Sequence, residues 1–208
     1  MKKPQMKDET RKKMDNFWYY YKFHVLIGAF LLFMAVVFIK DMLGKVDYDY
    51  DIALVTDYII ADEDSAALQK FFEENGEDLN GDGEVHVQLQ NYAIPSEDAP
   101  GFDPQMLAAS QTKLTVDLQE GTSMIFFMSE QNFEKFNDAG VLPEKREDYV
   151  DMKDCAGYAE CGSPDSIADL FVAMRITDGT KWAEKEEKVA YYQASERLFD
   201  KFVNGSGK

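Results

Sequence analysis

Residues 104–140 read PQMLAASQTKLTVDLQEGTSMIFFMSEQNFEKFNDAG, and the order of local preferences along them decides the fold. Proline at the head suits the first turn of a helix, where its missing N–H is not needed, and Gly121 suits the stop. Met106, Leu107, Leu114, Val116 and Leu118 give that helix a buried side. Residues 123–128, SMIFFM, form a strongly apolar run. A strand of that kind is covered on both faces, as in a parallel sheet. Ser129 is placed to cap a second, shorter helix that stops at Gly140.

The same alternation continues on either side. Upstream, residues 46–51 alternate as VDYDYD and lead into the apolar run 52–55, IALV, which ends at Thr56-Asp57. That is a buried strand. Asp62, Glu63 and Asp64 then open a helix carrying Ala66, Leu68, Phe71 and Phe72, with Gly76 at its stop. Residues 84–90, EVHVQLQ, form the cleanest strand, with Val85, Val87 and Leu89 on one face and a polar opposite face. Residues 93–104 hold three prolines and read as a long loop. Downstream, 144–164 is polar and irregular. Residues 170–176, LFVAMRI, read as a fourth strand, the alternative being a helix over ADLFVAM. Residues 182–203 carry Val189, Tyr192, Leu198, Phe199 and Phe202 at helical spacing, and 204–208 form a frayed tail. Strands alternating with helices imply an α/β sandwich with a mostly parallel sheet.

The first 45 residues have a different character. Residues 23–39, FHVLIGAFLLFMAVVFI, contain His24 as their only ionisable group, and the run from Trp18 to Ile39 has the length a helix needs to cross about 30 Å of hydrocarbon. Trp18, Tyr19, Tyr20 and Tyr21 suit a headgroup boundary. Seven Lys/Arg precede the apolar run that starts at Phe23 and only Lys40 and Lys45 follow it closely, which assigns residues 1–17 to the cytoplasm. No small-residue cleavage pattern follows, so an uncleaved signal anchor is expected rather than a signal peptide. The expected organisation is a basic tail over 1–17, a membrane anchor over 18–39 and one extracytoplasmic domain over 40–208, at the plasma membrane.

Charge divides along the same line. The first 45 residues carry a net +5 and the remainder a net −22 within the total of −17. So acidic a domain repels phosphate backbones, which excludes nucleic acid as its expected partner.

Asp78, Asn80, Asp82 and Glu84 match the first half of a calcium loop, with Gly83 at the bend. His86 and Leu89 stand where that pattern asks for later ligands, so any further carboxylate must come from elsewhere in the chain. A structural Ca2+ is one expectation and a plain Asn-Gly and Asp-Gly turn is the other. Cys155 and Cys161 are the only cysteines. In an outward-facing domain they are candidates for a disulfide, or for two free buried thiols. With His24 and His86 the only histidines, a nucleophile–histidine system is hard to build, and no catalytic residue is nominated. Ligands of open α/β sheets lie beyond the carboxyl ends of strands, which points to Thr56, Asp57, Tyr92, Ser129 and Glu130.

Residues 106–144, from MLAASQ through GVLPE, resemble one lobe of a bacterial extracellular solute-binding protein. The likeness rests on a helix closed by Gly121, the core strand 123–128, and a short helix followed by Gly140-Val141-Leu142-Pro143. It implies a periplasmic-binding-protein-like lobe; such proteins trap ligands between two lobes, and this chain has room for one. The aromatic-rich anchor is similar in type to those of uncharacterised membrane-anchored proteins of Gram-positive gut bacteria, with no function attached. The expected function is therefore a membrane-tethered binding or accessory module without catalysis. Its rivals are an envelope scaffold that docks a membrane-protein partner, and a carboxylate-based enzyme.

Overall fold

A computed structural model of the protein describes residues 8–44, 46–96, 103–177 and 186–205. The chain divides into two units, Met1–Val46 and Asp47–Lys208. The first holds one helix, α1 (Asp8–Leu43), of 36 residues. Within it Asn16–Lys40 has a mean hydropathy of 2.3 and no part buried, and it is long and apolar enough to cross a membrane.

The second unit is a mixed α/β domain around one sheet. Its elements are β1 (Tyr50–Thr56), α2 (Asp62–Asn75), β2 (Val87–Ala93), α3 (Pro104–Glu120), β3 (Ile125–Met128), α4 (Glu130–Phe136), β4 (Val150–Asp151), α5 (Ala156–Glu160), β5 (Phe171–Met174) and α6 (Glu186–Asn204). The five strands lie in the order β2-β1-β3-β5-β4. β1 pairs in parallel with β2 and β3, while β5 pairs antiparallel with both β3 and β4. Four strands thus point one way, and the mostly parallel sheet read from the sequence is present.

Period-two alternation in the strands builds two apolar layers. Ile52, Leu54, Ile125, Phe127 and Val172 face a cluster completed by α2, α5 and α6. Ala53, Val55, Phe126, Met128 and Ala173 face a second cluster completed by α3 and α4. The continuous apolar runs of β1 and β3 are thereby explained, because each successive side chain enters one layer or the other.

Several boundaries move, each for a local reason. β2 begins at Val87, not at Glu84. The amides of Glu84 and His86 are taken by Asp82 and Asp49, so the ladder starts only after them. α4 ends at Phe136, with Asn137 as its cap, short of Gly140. Residues 170–176 do contain a strand, but it is antiparallel. The chain leaves β4 through short turns and α5, and the amide of Met152 donates to the carbonyl of Leu170 at 2.9 Å. It re-enters the sheet at the end it left, which enforces an antiparallel partner. β4 and α5 fall in the stretch read as irregular. Of the expected tail, Asn204 closes α6, and residues 206–208 lie outside those described, as do 1–7 of the expected cytoplasmic tail.

α3 follows its sequence signals closely at its ends, but of the side expected to be buried Met106 and Val116 are exposed, and the helix buries Leu114, Asp117 and Leu118. Pro104 stands in its first turn, the Asp103 side chain accepts from the Gln105 amide, and Gly121 closes it in the left-handed region at φ 66°. Gly157 is needed for a different reason. A Cβ there would lie 2.4 Å from Phe202 Cδ2, so only glycine lets α5 approach α6.

Candidate functional site

The calcium-like loop is organised from beneath by Asp49, a buried carboxylate at the entrance to β1. Asp49 Oδ1 accepts from the amides of Leu79 (2.7 Å) and Asn80 (3.1 Å), and Oδ2 accepts from that of His86 (2.8 Å). The loop then caps itself. Asp78 accepts from the Gly81 and Gly83 amides, Asn80 Oδ1 from Asp82, and Asp82 Oδ1 from Glu84. Glu84 pairs with His86 at 3.4 Å. The side-chain oxygens of Asp78, Asn80 and Asp82 thus accept from backbone N–H groups of one tight turn, while the Glu84 carboxylate does not. Among the described residues no three His, Cys, Asp or Glu side chains gather as a metal-binding group.

Beside this loop, at the amino ends of the strands, lies a cleft of about 610 Å³ between β1 and α6. Its walls include Tyr48, Asp51, Leu79, Lys188, Tyr191 and Arg197. The size falls in the range of small-ligand sites. Tyr191 ties the cleft together: its hydroxyl accepts from the Asp51 amide and donates to the Thr122 carbonyl, both at 3.1 Å. Arg197 is engaged in a two-pronged pair with Glu77, at 2.8 and 2.7 Å. That hydrogen bonding holds the Glu77 carboxyl below its usual range.

Asp51 is the least settled group there. Burial pushes its carboxyl above the ordinary aspartate range, the Gln90 hydrogen bond opposes this, the Asp117 charge adds to it and Lys188 opposes it. With the folded value raised, the folded state holds its proton over a window in which the unfolded chain has lost it. Stability therefore falls as pH rises through that window, and the deficit is complete above the folded value. Asp51→Asn should accordingly melt about 2 °C higher than the parent at neutral pH, with the gap closing near pH ~4. Paired melts at the two pH values check this.

The residues nominated at the carboxyl ends of the strands are only partly assembled. The Ser129 amide donates to the Val55 carbonyl at 3.1 Å, which sets the end of β3 beside the end of β1. α2, following β1, packs on one face of the sheet, and α4, following β3, packs on the other. The chain therefore parts between these strands, the topology at which open α/β sheets form crevices. Thr56 is buried and donates to the Tyr58 carbonyl at 2.6 Å, and Asp57 is half-buried. Glu130 is exposed and lies 3.5 Å from Arg146. Asn132, missed in the sequence, is fully buried next to Ser129; its amide donates to Ser129 Oγ at 3.2 Å and its Oδ1 has no partner. Tyr92 does not join this group. Its hydroxyl turns inward and donates to Asp117 Oδ2 at 2.7 Å.

Asp117 is the centre of a second polar group that the sequence concealed. Besides Tyr92 it accepts from the Ser123 amide at 2.8 Å and from Ser123 Oγ at 2.6 Å. Buried Arg175 donates to the carbonyls of Asp117 and Leu118 at the end of α3. Every contact here joins α3 to the sheet, so the group is structural.

Cys155 and Cys161 are free thiols. They flank α5, Cys155 at its amino end and Cys161 at its carboxyl end. Cys155 Sγ instead faces the Asp151 carbonyl at 3.4 Å. Burial pushes the Cys155 thiol up to about 12 and the Cys161 thiol up to about 11, so neither supplies a thiolate at neutral pH.

Compared with protein families, with curated proteins and with solved structures, the chain finds no match in any of the three.

Proposed function

We propose that this protein is a membrane-tethered extracytoplasmic binding or accessory module with no catalysis of its own. The observation that carries the reading is the 25-residue stretch Asn16–Lys40, apolar and with no part buried. A surface of that kind is stable only in hydrocarbon or under another apolar cover. The basic flank before it supports a cytoplasmic N-terminus, and the acidic second unit suits an aqueous outer compartment. The bilayer is the first partner, through residues 18–39. Ligand binding is assigned to the crevice beyond β1 and β3, around Asp57, Ser129, Glu130 and Asn132. Its support is the topology and the unmet Asn132 oxygen, which would accept a hydrogen bond from a ligand. Tyr92, engaged with Asp117, is not part of that site.

The test is made on the full chain in cells. It should stay in the membrane pellet through an alkaline wash, and protease added outside intact cells should remove the acidic domain. Release into the wash, or a domain protected from outside protease, would sink the placement. Turnover by the purified chain in a hydrolase or transferase assay would sink the claim of no catalysis.

A structural Ca2+ on the loop of Asp78, Asn80, Asp82 and Glu84 belongs to the same reading. Calcium should then raise the melting temperature of the detergent-purified chain by several degrees over chelator. Asp82→Ala should abolish that difference, and identical melts of the parent in both would remove the ion.

A further inference from the structure

The two edges of the sheet are treated very differently. On one side the sheet ends in β4, a two-residue strand, Val150–Asp151. On the other it ends in β2, seven residues reading VQLQNYA. β2 is paired with β1 alone. Its even-numbered backbone groups are the ones turned toward β1: the His86 carbonyl accepts from Asp49, and the Ile94 amide donates to the Thr56 carbonyl. The N–H and C=O groups of Val87, Leu89, Asn91 and Ala93 therefore point away from the sheet. Among the described residues, no hydrogen bond outside the β1 pairing reaches those groups. An open row of this kind is a template for another strand, and proteins ordinarily blunt it with charge, proline or a bulge. β2 has no charged residue and no proline, although it belongs to a region of net charge −22.

We propose that β2 is a self-association edge, on which the β2 strand of a second copy of this chain is added antiparallel about a two-fold axis. Three features favour a second copy as occupant. First, the strand is uncharged, so two strongly acidic domains meet there with the least direct opposition of charge. Second, the row is self-complementary. If the axis passes through Gln90, Val87 faces Ala93 of the second copy and Leu89 faces Asn91, each as a hydrogen-bonded pair. The four outward residues then make about eight backbone hydrogen bonds, with none of the outward groups left over. Third, Gln90 meets Gln90 of the second copy on the axis, and its amide side chain donates and accepts at once, so it can pair with its own kind. The contact is isologous, closes on itself and stops at a dimer.

The register gives a parity-specific test on the full chain in native membranes. Across the axis, Gln90 meets Gln90 of the second copy at a non-hydrogen-bonded position, where Cα atoms lie about 4.5 Å apart, within disulfide reach. Gln88 meets Tyr92, and the two Gln88 residues stand about 13 Å apart. Under mild oxidation Q90C should run mostly as a covalent dimer, and Q88C should remain at least five-fold less cross-linked. Adding Asn91→Pro to Q90C removes one outward N–H but none turned toward β1. It should cut the cross-link at least five-fold while leaving the melting temperature within a few degrees. Three results would overturn the proposal: no Q90C dimer; equal dimer from Q88C and Q90C; or a Q90C dimer that survives Asn91→Pro, as it would if the anchor helices alone held two copies together. A Q90C adduct to a different protein in place of the dimer would also overturn it, making the edge a site for a foreign strand.

Discussion

Phe202→Ala should lower the stability of the acidic domain by about 4 kcal/mol, the cost of emptying a well-packed aromatic position. At this chain length that is a fall of roughly 8–16 °C in melting temperature. Phe202 is fully buried on α6, and its ring lies 5.3 Å from Phe71, 5.2 Å from Phe72 and 5.3 Å from Phe127. It thus joins the last helix to α2 and to β3 through one cluster. The cavity cannot close easily, because its neighbours belong to α2, to β3 and, through Gly157, to α5. Gly157 supplies a second reading of the same contact. Gly157→Ala alone should cost about 2 kcal/mol, since its methyl would sit against a ring with nowhere to go. In the Phe202→Ala background the same methyl enters vacated space, and its cost should largely vanish. Thermal melts of the two single variants and the double variant measure that coupling. Additive losses would mean that the α5–α6 approach is not set by this ring.

Much of the architecture was legible because it is written in short-range terms. The apolar runs of β1 and β3, Pro104 with Gly121 around α3, and the acidic first turn of α2 all state their structure locally. The orientation of β5 was not legible. Residues 170–176 are apolar whichever way the strand runs, and the direction is fixed by the Met152–Leu170 contact across the start of the connection. β4 and α5 were hidden because a two-residue strand and a five-residue helix leave no periodicity to read. The candidate site was the least legible part. Tyr92 satisfied the rule of strand ends, yet its long side chain found a buried carboxylate on α3 instead of the crevice. Asn132 gave no signal in a short polar helix. Asp49 lies in the alternating VDYDYD stretch, where nothing marks one aspartate as the anchor of a loop some thirty residues on. A signal for Asp117 did exist. It falls three residues after Leu114 and directly before Leu118, on the buried stripe of α3, where a carboxylate must have partners.

Those partners make Asp117 the position of the other large effect. Asp117→Ala would leave the Tyr92 hydroxyl, the Ser123 amide and the Ser123 hydroxyl without an acceptor in a buried place, with the Arg175 charge also uncompensated. Each stranded group costs about 1–3 kcal/mol, and breaking a buried charged set typically costs about 3–5 kcal/mol, so a loss of about 4 kcal/mol is expected. Arg175→Met should cost somewhat less, about 3 kcal/mol. Its methionine still fills the space, but the carbonyls of Asp117 and Leu118 lose their donor at the negative end of α3. The two changes act on one set of groups, so the double variant should fall well short of the sum. Removing both charges together leaves neither one alone in an apolar layer. Urea unfolding of the parent, both single variants and the double variant gives the four numbers required. If the double variant loses the full sum, Asp117 and Arg175 are two independent anchors of α3, and the charge of one does not depend on the other.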